Sequence, residues 1–143
     1  MRALILLIAI SGLTLGASFS TSVQDEDTPL QEAMGKFNSS LRTFRKAVKG
    51  GAPNKEQALA QILTMQGAIQ AAKVETPESA AKLDAAKGRA FTVSFRKDLI
   101  SVQRALLDLE VLILDDKFSA ADVAIRGLLE HKKAGHDKYI EDA

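Results

Sequence analysis

Leu30, Met34, Phe37, Leu41, Phe44 and Val48 follow one another at spacings of 4, 3, 4, 3 and 4. Sixty-five residues later the series repeats through Phe95, Leu99, Val102, Leu106, Leu109 and Ile113. Alternating steps of four and three keep side chains on one face of an α-helix and throw them to both faces of a strand. A chain carrying two such rows is committed to packing helices by their apolar stripes. No competing strand pattern interrupts it.

Punctuation between the rows fixes four helices. Thr28-Pro29-Leu30-Gln31 opens the first: Thr28 caps, Pro29 sits where a missing N–H is harmless, and Gln31 returns the capping-box bond. Gly50-Gly51 and Pro53 end it. Asn54 caps the second, whose stripe is Leu59, Ile62, Met65, Ile69 and Ala72, and Thr76-Pro77 closes it. A connection then runs from Glu78 to Arg89, with Ser79–Lys82 as a short helical piece and Gly88 as its stop. The third helix carries the row from Phe95, and Asp115-Asp116-Lys117 form a turn rather than a calcium site. Ser119 caps the fourth, which points Ala121, Ile125, Leu128 and Leu129 inward on its way to Tyr139. Four helices of similar length with short-to-moderate connections predict an all-α fold, an antiparallel up-down-up-down four-helix bundle, over residues 28–141.

The segment before it reads differently. Arg2 precedes the apolar run Ala3 to Ile10 and then small residues, the pattern of a secretory signal peptide over residues 1–20, cut between Ala17 and Ser22. The run is shorter than the roughly 20 residues of a membrane span. The expectation is therefore a soluble, exported, periplasmic monomer with no stable membrane association after cleavage. With 19 Lys and Arg against 18 Asp and Glu, no basic surplus points to nucleic acid. The absence of Cys excludes disulfides, thiolate metal sites, Cys nucleophiles and covalently attached haem. No Ser-His-Asp set, Gly-rich phosphate loop or H-E-x-x-H motif is present, so the chain is not read as an enzyme.

The fourth helix is anomalous. Its stripe continues past Leu129 to Lys132, Gly135, His136 and Tyr139, with no aliphatic side chain among them. In an antiparallel bundle this end lies beside the start of helix 1, at the level of Met34. Phe37, Met65, Phe91, Phe95, Leu99, Ala68 and Ala72 gather at the same end. A thioether and an imidazole facing each other across an apolar gap are the axial ligands of a low-spin haem. His131 and His136 are about 140° apart around a helix, so a two-His metal site fails; the stripe selects His136 and leaves His131 on the surface.

The residues in this pattern resemble the soluble periplasmic cytochrome b-562 family. The likeness runs through Met34-x-x-Phe37-Asn38-x-x-Leu41-Arg42-x-Phe44-x-Lys46-Ala47 in helix 1 and Met65-x-x-Ala68 with Thr76-Pro77 in helix 2. From Phe95-Arg96 to His136-Asp137-Lys138-Tyr139 the spacing is similar to the family's without a gap, while the first two connections are longer. The resemblance implies one non-covalent haem b ligated by Met34 and His136. It further implies a pocket lined by Phe37, Leu41, Met65, Phe95 and Leu99, and one-electron transfer to a redox partner protein. Lys132 stands where the family has an arginine beside the haem, and Leu99 and Gly135 replace aromatic residues, which implies a roomier pocket. The competing expectation is a haem-free exported helical bundle acting as an adaptor or stress-related binding protein.

Overall fold

The computed structural model describes residues 27–139, except for the side chain of His136. The segment read as a signal peptide lies outside the described residues. Five helices follow one another: α1 (Pro29–Val48), α2 (Lys55–Ala72), the single-turn α3 (Glu78–Ala81), α4 (Ala85–Leu114) and α5 (Phe118–Tyr139). The described residues contain no strand, and the fold is all-α. Among them no helix is long and apolar enough to cross a membrane.

Local chemistry sets the helix ends. Gln31 donates its backbone N–H to Thr28 Oγ1 at 3.3 Å, and its side chain accepts from Thr28 N at 2.8 Å, completing the capping box of α1. Gly50, at φ 113°, occupies left-handed backbone that favours glycine and turns the chain toward α2. Asn54 Oδ1 accepts from Gln57 N at 2.8 Å and starts α2. Asp84 starts α4, accepting from Ala86 N at 3.1 Å and Lys87 N at 2.9 Å. Those backbone and side-chain hydrogen bonds with Lys87 come first among the causes that hold the Asp84 carboxyl below its ordinary value.

Three boundaries and one face differ from the sequence expectation. Helix α4 starts at Ala85, not after Arg89, and Gly88 lies within its first turns rather than stopping a helix. A Cβ at Gly88 would sit 2.7 Å from the carbonyl oxygen of Ala80, so glycine there lets α4 approach the backbone of α3. Helix α4 is consequently 30 residues long, well beyond its companions. Helix α5 starts at Phe118, which puts Ser119 inside the helix instead of at its cap. On α2 the buried row is Ala58, Ile62, Met65, Ile69 and Ala72, while Leu59 is only partly buried. That row has the same 4, 3, 4, 3 steps as its neighbours, with small alanine where the helices approach.

The long helices pack in a closed order: α1 on α2, α2 on α4, α4 on α5, and α5 on α1. The α1–α2 pair is the most extensive and the α1–α5 pair the slightest. Phe37, Phe44, Ile62, Met65, Ile69, Leu106, Leu109, Ile113 and Ile125 are almost wholly buried between them. Each such side chain contributes about 1.5–3 kcal/mol of burial free energy. Lys55 Nζ ties the start of α2 to the end of α4, donating to the carbonyl of Leu114 and to Asp116 Oδ1, both at 2.8 Å. Further along, Gln66 donates to Glu110 Oε2 at 2.6 Å.

Candidate functional site

A cavity of about 280 Å³ opens where α1 and α5 meet least. The first turns of α1 contribute Thr28, Leu30, Gln31, Met34, Phe37 and Asn38. Helix α4 supplies Phe95, Asp98, Leu99 and Val102; α5 supplies Leu128, His131, Lys132, Gly135 and Tyr139. Ile69 forms part of the wall, and Pro77, Glu78 and Ser79 close one end. The cavity thus draws on all five helices and on both ends of the described chain.

The local reason for the opening is compositional. Inward positions on α5 hold aliphatic or small side chains through Leu128, then Lys132 and Gly135, which fill little or turn to solvent. Met34 and Gly135 are half-buried, while Phe37, Phe95, Leu99 and Leu128 form the buried apolar wall. Asn38 brings an oxygen, Oδ1, that is shielded from solvent and has no hydrogen-bond partner within the described chain. Lys132, Gln31 and Thr28 are polar groups at the mouth.

Tyr139 fills part of the gap expected at the end of α5. Its ring meets Phe91 and Phe95 edge to face, with centroids 5.1 Å away in each case. Its hydroxyl donates to Asp98 Oδ2 at 2.5 Å and lies 3.1 Å from Ser94 Oγ. Lys138 Nζ reaches the same two partners, Ser94 at 2.8 Å and Asp98 at 3.1 Å. From the other side, buried Ser79 donates its hydroxyl to the carbonyl oxygen of Tyr139 at 2.7 Å, fastening α3 to the end of α5. Partial burial pushes the Asp98 carboxyl up. Hydrogen bonds from Tyr139 and Lys138, reinforced by the charges of Lys138 and His131, outweigh it and hold the group below the ordinary carboxylate value. Hydrogen bonds to Tyr139 and then Asp98 raise Lys138 in turn.

Of the residues singled out from sequence, Met34, Phe37, Phe95, Leu99 and Lys132 come together around the cavity. Leu41 and Met65 are buried in the core and are not among the lining residues. His136 belongs to α5, seven residues after the core-packed Leu129, and its side chain lies outside the described residues. His131 is exposed, yet it contributes to the cavity rim on the side of Asp98. Sequence reasoning missed the Tyr139–Asp98–Ser94 cluster and the α3 cap. Tyr139 was counted as a missing aliphatic, although an aromatic ring with a polar handle fills such a position once a carboxylate faces it.

An apolar wall, a thioether, and a mouth carrying a lysine and side-chain amides suit a flat, largely apolar ligand with anionic carboxylates at its edge. At about 280 Å³ the enclosed space falls just below the usual range of about 300–1,000 Å³, and would take part of a porphyrin ring while its edge stayed outside. Among the described residues no group of three or more His, Cys, Asp or Glu side chains is placed to hold a bare metal ion. No protein-family model matches the chain, and no curated protein is significantly similar to it.

Proposed function

We propose that this chain is an exported, antiparallel up-down-up-down four-helix bundle that binds one non-covalent haem b and passes single electrons to a redox partner protein. The cavity carries this reading: it brings Met34 beside the end of α5, against Phe37, Phe95 and Leu99. The order of helix contacts and the Lys55 tie between the start of α2 and the end of α4 support the bundle.

In this reading Met34 and His136 would hold the iron from α1 and α5. Phe37, Phe95 and Leu99 would flank the ring and keep water from it, with Leu41 and Met65 supporting that wall from the core. Lys132 faces the ligand's carboxylates at the mouth. Haem held by a thioether and an imidazole would supply a one-electron couple with a raised potential. Tyr139, anchored by Asp98 and Ser79, sets how far α5 stands from α4 and hence the width of the slot.

The test is optical. Purified protein supplied with haem should bind one equivalent, show a six-coordinate low-spin spectrum, and release the haem entirely to acid acetone. Met34→Ala should shift the ferric form toward high spin and lower the potential; His136→Ala should weaken haem retention further. His131→Ala, at the rim of the same cavity, should leave the spectrum unchanged. Protein that stays colourless in excess haem would end this reading and favour the haem-free binding protein. Loss of the low-spin spectrum in His131→Ala but not in His136→Ala would reassign the ligand.

A further inference from the structure

Helix α4 carries a second apolar row that the described chain leaves uncovered. Its inner face buries Phe95, Leu99, Leu106, Leu109 and Ile113. Val93, Ile100, Leu107, Val111 and Leu114 are exposed by 53%, 36%, 48%, 55% and 52%. With Lys97 and Arg104 between them, the exposed positions step by 4, 3, 4, 3, 4 and 3. At 100° per residue that row lies about 150° around the helix from the inner one. This is the spacing of a coiled-coil seam, on the longest helix of the molecule. Leu63 of α2, itself 57% exposed, lies one turn from Gln66, whose hydrogen bond to Glu110 marks the end of the row where α2 adjoins.

The order of residues along the row identifies what covers it. Lys87, Arg89, Arg96, Lys97 and Arg104 occupy the first part of α4, where the one acid, Asp98, is taken up by Tyr139 and Lys138; Asp108 and Glu110 occupy the last part, ahead of Asp115 and Asp116 in the turn. Val93, Ile100, Leu107 and Leu114 are arranged evenly about the midpoint between Gln103 and Arg104. A second copy turned end for end about that point sets Val93 against Leu114 and Ile100 against Leu107. It also sets Arg96 level with Val111, one residue from Glu110, every contact occurring twice, as two-fold symmetry requires. A parallel copy would instead stack basic on basic and acidic on acidic. We infer that α4 pairs antiparallel with α4 of a second copy of this chain, forming a symmetric dimer through its outer face. Two helices touching from Val93 to Leu114 share about 30 Å of contact and bury on the order of 1,000 Å² in total, at the low end for specific complexes. The dimer is accordingly reversible, with a dissociation constant of about micromolar order. This departs from the monomer expected from sequence.

Sedimentation equilibrium on protein purified after expression of the full chain tests the pairing, with and without added haem. The wild type should pass from monomer to dimer between about 1 and 100 µM. Leu107→Glu should remain monomeric throughout with unchanged far-UV circular dichroism; should it lose helicity, Ile100→Lys serves in its place. Arg96→Glu and Glu110→Arg should each weaken the dimer at least about tenfold, because each homodimer then sets like charges opposite. An equimolar mixture of those two variants should dimerise as the wild type does, since the mixed dimer holds one wild-type Arg96–Glu110 pair and one with its signs exchanged. A wild type monomeric at every concentration, a Leu107→Glu variant that still dimerises, or a mixture no tighter than its components would each overturn the inference.

Discussion

Replacing Tyr139 by Phe keeps the two edge-to-face contacts with Phe91 and Phe95 and deletes one oxygen. What disappears is the donation to Asp98 Oδ2 at 2.5 Å. A hydrogen bond to a charged group contributes about 1.5–3 kcal/mol when buried. Here the Asp98 side chain is 51% exposed and Lys138 also bonds to it, so water and the ammonium recover part of the loss and about 1–1.5 kcal/mol remains. The Asp98 carboxyl titrates below its ordinary value in the folded protein. A carboxylate lowered in this way stabilises the fold above its unfolded pKa of about 3.9, and that contribution is lost as pH falls through the folded value. The gap between wild type and Tyr139→Phe should therefore be full near neutral pH and shrink below about pH 4. Urea unfolding followed by circular dichroism should show the neutral-pH midpoint fall by about 0.5–1 M. A difference under about 0.3 kcal/mol near pH 7, or one that widens toward pH 3, would refute the coupling between this hydroxyl and the ionised Asp98.

Gly88→Ala gains about 1 kcal/mol of helix propensity but drives a methyl to 2.7 Å from the Ala80 carbonyl, so a net loss of about 1–2 kcal/mol is expected in thermal unfolding. Gly67→Ala, with nothing within 4 Å, should instead stabilise by about 0.5–1 kcal/mol in the same assay. Thr28→Ala should cost about 1 kcal/mol through loss of the α1 cap, with Thr28→Ser close to wild type in denaturant titration. Phe44→Ala empties a site of 0% exposure and should cost about 3–5 kcal/mol by chemical denaturation.

Side chains large enough to write a periodic row, and caps that act within three residues, were legible in the sequence. The stripes of α1 and α4 and the Thr28–Gln31 and Asn54 caps appear where the residues indicate. Features set by small residues were not. Ala58 takes the inward place assigned to Leu59 because close helix approach favours the smaller side chain. Gly88 reads as a helix stop, although its role is to admit the Ala80 carbonyl, a partner eight residues away across a turn. A cavity lies at the end where non-aliphatic residues follow Leu129 on α5. Its actual lining depended on distant partners: Ser79 and Asp98 reach Tyr139 across 60 and 41 residues, and no local pattern encodes those meetings.

The cavity's walls come from opposite ends of the described chain, and this orders events in time. The α1–α2 pair joins neighbours across a short connection, so its loop closes readily and its packing needs nothing made later. Met34 and Phe37, by contrast, wait for Lys132, Gly135 and Tyr139, about a hundred residues downstream. Chains interrupted just after Leu128 would retain the core residues of α5 and lack Lys132, Gly135 and Tyr139 of the pocket wall. Cleavage by a protease working back from beyond Tyr139 would likewise erase the site well before it dismantled the core, and a helical spectrum would give no sign of the loss.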